Sequence, residues 1–321
     1  IDEAVRAATS AVDDHRQQTS AHVARWSTLG SVLRSRFIHR AGLGAFHPPD
    51  PLDLRTVRPT PDIPRDDIDL AVNAFDRAVH LAGLANIDVN RSRLIAALLT
   101  RYDIFRERAD LERAATVARQ IDVGESTQPL VLNDVAYALA RAGSDLRRPH
   151  QVLEAIELGE RALQGLTGSA NEAMALDNLG TYFRALEFLD ENAPDTSPDV
   201  AAYDSAIRSA SASYRKLWHQ AATNVKAPAW YRLSAARRWA EASYRGLPDD
   251  PSSLAAYGVA LDLITSVATV GIDRRSREAQ LRDLSLVARD AAAAALTAGH
   301  PHDAQDVLER GRTVFWSESV N

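Results

Sequence analysis

The sequence predicts an all-α protein, an α-solenoid of tetratricopeptide-like helix pairs wound into a right-handed superhelix. Three observations lead to this prediction. Apolar residues recur at helical spacing along most of the 321 residues. Alternating β-branched runs and the Asn-Gly or Asp-Gly turns of hairpins are missing. The helical segments also come in pairs that resemble one another, which is typical of a repeat array. We therefore expect one solenoid over residues 1–321.

The first helix of each predicted pair carries an aliphatic residue, usually followed by a small one, with further apolar residues one turn later. The instances are Leu29-Gly30, Leu94-Ile95, Val135-Ala136 and Leu179-Gly180. The partner helices carry a central alanine, and several have an acidic start. They contain Asp69–Ala78, Asp110–Ala115, Val152–Ile156, Val200–Ile207, Leu254–Leu263 and Asp303–Leu308. Small residues such as Gly30, Ala136 and Gly180 predict close approach of the two helices.

Several helix starts are marked by capping residues and prolines. Ser169 and Glu172 form a capping box. Ser197 precedes Pro198, which places a capping hydroxyl before a first-turn proline. Pro228 and Pro301 are expected in the first turns of their helices.

The segment 38–67 interrupts the helical pattern. It contains Gly42-Leu43-Gly44 followed by six prolines, which favour extended backbone. One interpretation is an inserted loop between the two helices of one repeat. The other is an arm that lies across the concave face and blocks it.

Composition excludes several classes of protein. The net charge of −6 argues against a nucleic-acid partner, which calls for clustered Lys and Arg. The apolar runs are too short to span a bilayer. With no cysteine, the chain has no disulfide, thiolate metal site or cysteine nucleophile. Neither a membrane partner nor a signal peptide is expected, and we predict a cytoplasmic protein.

Motifs that carry catalysis or bind cofactors are not found in the sequence. His300-Pro301-His302-Asp303 is the densest metal-ligand candidate, but a proline and a helix start make it a loop. His39 and His47 are expected in solvent. Gly42-Leu43-Gly44 lacks the third glycine of a dinucleotide fingerprint. The acidic pairs Asp66-Asp67 and Asp249-Asp250 favour helix starts by charge. We predict no catalytic residue, no metal and no cofactor.

A concave peptide-binding face is predicted from the first helices. Counting from the small residues places polar side chains on this face, and their mixture suits an extended peptide backbone or a carboxylate. These residues are Ser27, Ser31, Arg34, Asn133, Tyr137, Asp177, Thr181 and Arg184. Solvated surface is the competing interpretation for each.

Both ends of the sequence suggest a segment taken from a longer protein. The first residues already follow a helical pattern. Residues 303–321 begin as an amphipathic helix and then run into a large apolar cluster. We predict a junction helix here, leading to a further C-terminal domain through Glu309, Arg310, Arg312, Phe315 and Trp316. The tryptophans at 26, 218, 230 and 239 are expected in the core, whereas Trp316 would pack on that domain.

The helix pairs resemble the repeats of TPR–CHAT proteins, in which a tetratricopeptide array precedes a caspase-like CHAT peptidase. Matching segments include Arg101–Ala114, Arg232–Ala240 and Ala255–Leu263. Leu308–Ser317 is similar to the junction helix of that family and carries the likeness most specifically. The resemblance implies a cysteine peptidase in the full-length protein, whose His–Cys pair is absent from this chain, and a role in defence or programmed cell death.

Taken together, these patterns predict a non-catalytic, regulatory, protein-binding array. By resemblance, it would recruit a partner or substrate to a downstream CHAT caspase-like peptidase in cis, or hold that peptidase inactive. The alternative is a stand-alone scaffold that self-associates as a homo-oligomer through Phe315 and Trp316, with no peptidase. A third hypothesis is an enzyme whose site forms from histidines on different repeats.

Overall fold

The computed structural model describes residues 1–13, 19–41, 64–83, 86–125, 127–191, 213–246, 251–268 and 274–319. These residues contain α-helices and no β-strand, so the prediction of an all-α fold is confirmed. They fall into two compact units. Unit 1 comprises residues 1–41 and 47–165, and unit 2 comprises 42–46 and 166–321. The continuity of the array over residues 1–321 stays a prediction. Its right-handed twist stays a prediction as well.

Unit 1 contains seven helices in its described part. They are α1 (Asp2–Asp13), α2 (Thr19–Arg40), α3 (Asp66–Leu81), α4 (Ile87–Phe105), α5 (Arg108–Arg119), α6 (Pro129–Asp145) and α7 (Pro149–Leu166), the last residue of which belongs to unit 2. Consecutive helices from α1 to α6 pack on one another. In addition, α4 packs on both α2 and α6, so these three helices form a row. This stacking is the one predicted for helix pairs of an α-solenoid.

Unit 2 contains α8 (Glu172–Glu191), α9 with its described part at 213–223, α10 (Ala229–Gly246), α11 (Pro251–Ala268), α12 (Arg274–Thr297) and α13 (Pro301–Ser319). Consecutive helices from α10 to α13 pack on one another, and α8 packs on α10. The predicted partner segment Val200–Ile207 lies outside the described residues.

Two predicted close approaches are confirmed. A Cβ placed on Gly30 would lie 2.9 Å from the ring of Phe75 on α3. A Cβ on Gly180 would lie 2.7 Å from Trp218 Nε1 on α9. Real Cβ atoms do not approach other atoms so closely. Each glycine therefore leaves the space in which an aromatic ring of the neighbouring helix packs against its backbone.

Within unit 1, a charged link joins the two helices of a predicted pair, and it occurs in two successive pairs.

 The repetition lies within this one chain, between two successive helix pairs. At the end of α2, Arg36 Nε donates to Asp67 Oδ2 of α3 at 2.8 Å. At the end of α4, Arg101 Nε donates to Asp110 Oδ2 of α5, also at 2.8 Å. Both aspartates are buried, so a partner arginine is needed to offset the cost of removing the carboxylate from water.

That link adds to one prediction. The acidic pair Asp66-Asp67 lies in the first turn of α3, as predicted, and Asp67 is also buried and pairs with Arg36 and Arg40. Asp66 is exposed in the first turn of α3, where the helix dipole favours its charge. Asp249-Asp250 lies outside the described residues. The non-helical segment 38–67 also needs new bounds, because 38–40 belong to α2 and 66–67 to α3. Residues 42–63, including His47, lie outside the described part.

Helix starts follow the predicted capping chemistry with small shifts. Ser169 Oγ accepts from the Asn171 backbone N–H at 3.2 Å, and Glu172 Oε2 accepts from the Gly168 N–H at 3.1 Å. The two predicted side chains therefore cap this start, although α8 itself begins at Glu172. Pro301 is the first residue of α13, as predicted, and Pro228 directly precedes α10. Ser197 and Pro198 lie outside the described residues.

Among the described residues, Arg106, Arg147, Gly168 and Gly299 follow helices with left-handed backbone, and two of them show how glycine and a larger residue differ there. Gly299, with φ of +78°, follows α12, and the next N–H, of His300, donates to Ala295 O at 2.8 Å. Arg147, with φ of +54°, follows α6, and the Arg148 N–H donates to Gly143 O at 2.7 Å. Both are Schellman-type ends. A glycine adopts this backbone without strain, whereas Arg147 does so at a steric cost.

Candidate functional site

The row formed by α2, α4 and α6 contains part of the peptide-binding face that the sequence predicts. These are the predicted first helices of three successive pairs, and we call them the first-helix row. Five of the eight predicted binding residues lie on it, in unit 1, and three lie on α8 in unit 2.

The α2 candidates contact α4 rather than pointing together into open space. Ser27 is buried and accepts a hydrogen bond from Arg93 Nη1 of α4. Arg34 Nε donates to Thr100 Oγ1 of α4 at 2.8 Å. Ser31 is exposed, and its hydroxyl donates to Ser27 O at 2.9 Å. Two of these three side chains thus fix the spacing of α2 and α4.

The α6 candidates lie beside the half-buried Asp134. Asn133 is buried and hydrogen-bonds the Asp134 side chain. Burial raises the pKa of the Asp134 carboxyl to about 6, and the bond from Asn133 acts in the opposite direction. Asp134 in turn accepts a hydrogen bond from Ser92 Oγ of α4. Tyr137 is half-buried one turn further along α6. The polar groups at this level join α4 to α6.

The α8 candidates hold unit 2 together. Asp177 is buried and pairs with Arg238 of α10, which is also buried. Its backbone carbonyl accepts from Trp218 Nε1 at 3.1 Å and from Thr181 Oγ1 at 2.9 Å. Arg184 is half-buried and pairs with Glu187 on its own helix at 2.9 Å. Asp177 therefore links three helices of unit 2.

Four of the eight predicted residues are buried, namely Ser27, Asn133, Asp177 and Thr181. A partner reaches a buried side chain only if neighbouring helices move apart, so in this structure these four support the helices. Ser31 is exposed, and Arg34, Tyr137 and Arg184 are partly exposed. Peptide binding at any of the eight stays a prediction.

A cluster of buried charge that the sequence reading missed lies between α4 and α6. Arg141 is almost fully buried, and its Nη2 donates to Asp103 Oδ1 at 3.0 Å and lies 3.6 Å from Asp145 Oδ2. The hydroxyl of Tyr102 donates to the same Asp145 oxygen at 2.6 Å. The guanidinium also lies 5.5 Å from the centroid of the Tyr102 ring, within cation–π range.

Burial is the largest influence on the pKa values of Asp103 and Tyr102 in this cluster. It raises the pKa of Asp103 to about 6, although Arg141 and Arg106 act in the opposite direction. Burial and the hydrogen bond to Asp145 raise the pKa of Tyr102 to about 12. A sequence signal for the cluster does exist. Arg141 stands in a run of small apolar residues, Ala138–Gly143, and precedes Asp145 by one helical turn.

The predicted junction residues lie on α13, which runs from Pro301 to Ser319. Glu309, Arg310 and Arg312 are exposed, and Arg310 Nη2 pairs with Asp262 of α11 at 2.5 Å. The side chains of Phe315 and Trp316 lie outside the described part. Their role in a junction or a dimer stays a prediction.

Among the described residues, no group of three or more His, Asp or Glu side chains is placed to hold a metal ion. His300 Nδ1 lies 3.7 Å from Asp303 Oδ2, and both side chains are exposed. None of the described helices combines the length and apolar character needed to cross a bilayer.

Comparison with known proteins gave distant structural likeness alone. No protein-family model matches the chain, and no curated protein matches it. The crystal structure of BtubC (BKLC) from P. vanneervenii is 14% identical, with a TM-score of 0.47, over 78% of this chain and 92% of that one. A structure of the nuclear import adaptor Nro1 is 14% identical, with a TM-score of 0.42, over 96% of this chain and 97% of that one. A second structure, of Nro1 from S. pombe, is also 14% identical, with a TM-score of 0.37, over 87% and 99%. Likeness at this level carries no argument about function.

Proposed function

We propose that this chain is a non-catalytic array that binds a protein partner on the first-helix row. The observation that supports the proposal is the construction of that row. Partly buried polar contacts, Arg93 to Ser27 and Ser92 to Asp134, join α4 to α2 and α6 and so hold the three helices in register. A rigid row of helices that presents hydroxyl and arginine side chains suits an extended or helical peptide.

Selection from a displayed-peptide library tests this proposal with one matched pair of variants. Ser31→Arg places a large charged side chain on the exposed face of α2, and Asn73→Arg places the same side chain on the exposed face of α3. We expect Ser31→Arg to weaken a selected peptide at least ten-fold and Asn73→Arg to leave its affinity unchanged. Equal affinity for both variants would place the peptide elsewhere.

The finer proposal is that the array serves a CHAT caspase-like peptidase, by recruiting its substrate or activator or by holding it inactive. It rests on the resemblance of the repeats and of Leu308–Ser317 to TPR–CHAT proteins. A change of helix packing when the row fills would be passed to the peptidase through α13. The intact mass of the native product, with peptide mapping beyond Asn321, tests this part. A histidine and a cysteine in a further domain would support it, and a native product near 35 kDa that ends at Asn321 would contradict it.

The second candidate function is a self-associating scaffold, favoured by exposed leucines in unit 2. Leu296 near the end of α12 and Leu308 on α13 are 60% and 43% exposed, and exposed apolar side chains of this size are candidates for an interface. Sedimentation equilibrium separates this candidate from the first. A dimer that Leu308→Asp converts to a monomer would support the scaffold, and a wild-type monomer at all concentrations would exclude it.

A further inference from the structure

In unit 1, a buried ion pair joins α2 to α3, and another joins α4 to α5. Arg36 of α2 donates to both carboxylate oxygens of Asp67 on α3, at 2.8 and 2.5 Å. Arg101 of α4 donates to both oxygens of Asp110 on α5 at the same two distances. Both aspartates are buried, and breaking either pair would leave a carboxylate in the interior without its guanidinium. The two helices of each pair are therefore firmly joined.

The two successive pairs contact each other differently on their two sides. On the first-helix side, α4 packs directly on α2. The buried hydroxyls of Ser27 and Thr100 accept hydrogen bonds from Arg93 and Arg34 across this contact. On the second-helix side, α3 and α5 show no comparable packing between their described residues. The pairs are thus held closely where α2 meets α4, and loosely where α3 lies beside α5.

Long arginine side chains span the distance between α3 and α5. Arg65, directly before α3, donates from Nη2 to Oε2 of Glu107, directly before α5, at 2.9 Å. Arg113 of α5 donates to both oxygens of Asp76 on α3, at 2.6 and 2.5 Å. The exposed fractions of these side chains are 38% and 43% in the first pair and 43% and 27% in the second. Ion pairs that are this open to solvent are weak and are screened by salt.

A further exposed link crosses from α3 to α4 near the same helix ends. Besides its pair with Asp110, Arg101 donates from Nη1 to Oδ1 of Asp69 on α3, at 2.7 Å. Arg65 Nε lies 3.3 Å from the other oxygen of Asp69. The Asp69 side chain is 39% exposed, so salt also reaches this link. The ionic contacts inside a helix pair are therefore buried, whereas those between the two pairs are open to solvent.

We propose that unit 1 contains an ionic hinge between its helix pairs α2/α3 and α4/α5. Each pair moves as a rigid body about the α2–α4 contact, and the ion pairs Arg65–Glu107 and Arg113–Asp76 set the spacing of α3 and α5. Salt screens these exposed ion pairs far more than the buried ones inside each helix pair. The α3–α5 spacing therefore increases with ionic strength, whereas the α2–α3 spacing stays constant. The hinge needs no partner and goes beyond the proposed binding function.

Distances between spin labels on the whole chain test the hinge, since the sequence has no cysteine of its own. Asn73→Cys with Thr116→Cys reports the α3–α5 spacing, and Ser31→Cys with Asn73→Cys reports the α2–α3 spacing. All three positions are exposed. Double electron–electron resonance is recorded at 0.1 and 1 M NaCl, between which the Debye length falls from about 10 to about 3 Å. We expect the 73–116 distance to grow by about 2 Å and the 31–73 distance to stay unchanged. An unchanged 73–116 distance, or an equal change in both distances, would overturn the proposal.

Two double variants assign the effect to the ion pairs. Asp76→Asn with Glu107→Gln removes both carboxylates that span α3 and α5, so the 73–116 distance should already have its high-salt value at 0.1 M NaCl. Glu112→Gln with Glu157→Gln removes the same charge from exposed positions, since Glu112 pairs within α5, and should keep the response to salt. If the first variant also keeps that response, the two ion pairs do not set the spacing and the proposal is wrong. The salt comparison needs neither charge variant, so it decides the matter even if one of them fails to fold.

Discussion

Gly180 of α8 faces the indole of Trp218 on α9 so closely that a Cβ would lie 2.7 Å from Nε1. The same indole N–H donates to the backbone carbonyl of Asp177, one turn earlier on α8, at 3.1 Å. The ring is therefore fixed at both positions, by contact with a glycine and by a hydrogen bond. In unit 1, Gly30 admits the ring of Phe75 in the same manner.

Gly180→Ala is expected to destabilise unit 2 by about 1–3 kcal/mol, because the new methyl group forces the Trp218 ring to shift in a close-packed core. The matched control is Gly258→Ala on α11, where no atom lies within 4 Å of the added Cβ. That control should gain about 0.5–1 kcal/mol from helix propensity. Thermal unfolding followed by tryptophan fluorescence compares the two, and a stabilised Gly180→Ala variant would contradict the assigned contact.

Arg238→Met is expected to cost about 3–5 kcal/mol, because it leaves the buried carboxylate of Asp177 without its guanidinium partner. Arg310→Met removes a pair of similar geometry, to Asp262, in which both side chains are more than half exposed. It should cost less than about 1 kcal/mol. Urea unfolding measures both changes. Similar costs for the two variants would mean that burial does not set the strength of the Asp177 pair.

Arg147→Gly is expected to stabilise unit 1 by about 0.5–1 kcal/mol. Arg147 holds a φ of +54° after α6, where glycine avoids the clash that an L side chain makes with its own backbone. Gln164→Gly is the control, since it puts glycine at an exposed position inside α7, with an expected loss of about 1 kcal/mol. Differential scanning calorimetry compares the thermal unfolding midpoints of the two variants and the wild type. A lower midpoint for Arg147→Gly than for wild type would contradict backbone strain at Arg147.

Much of the fold could be predicted because its helices obey local rules. The period of apolar residues locates α2, α4, α6 and α8, and the small residues Gly30 and Gly180 report close helix contacts that the structure contains. Ser169 and Glu172 mark the start of α8 from side-chain chemistry alone.

The candidate site was harder to predict, for a physical reason. Counting along one helix tells which residues share a face, but not whether another helix covers that face. Ser27 and Asn133 were placed on an open face, and α4 and neighbouring groups cover them. The buried Arg141 was missed because a charged residue is expected outside the core unless its partners are known. Of those partners, Asp145 lies one turn further along α6, but Asp103, which accepts the hydrogen bond, comes from α4.

The most direct test of the account is the footprint of a bound peptide on the first-helix row. A library-selected peptide is added to the whole chain, and hydrogen exchange is compared with and without it. The account predicts slower exchange in 24–36 of α2 and 90–100 of α4, with exchange in α3 and α5 unchanged. Slower exchange confined to α3 and α5, or to unit 2, would contradict partner binding on this row.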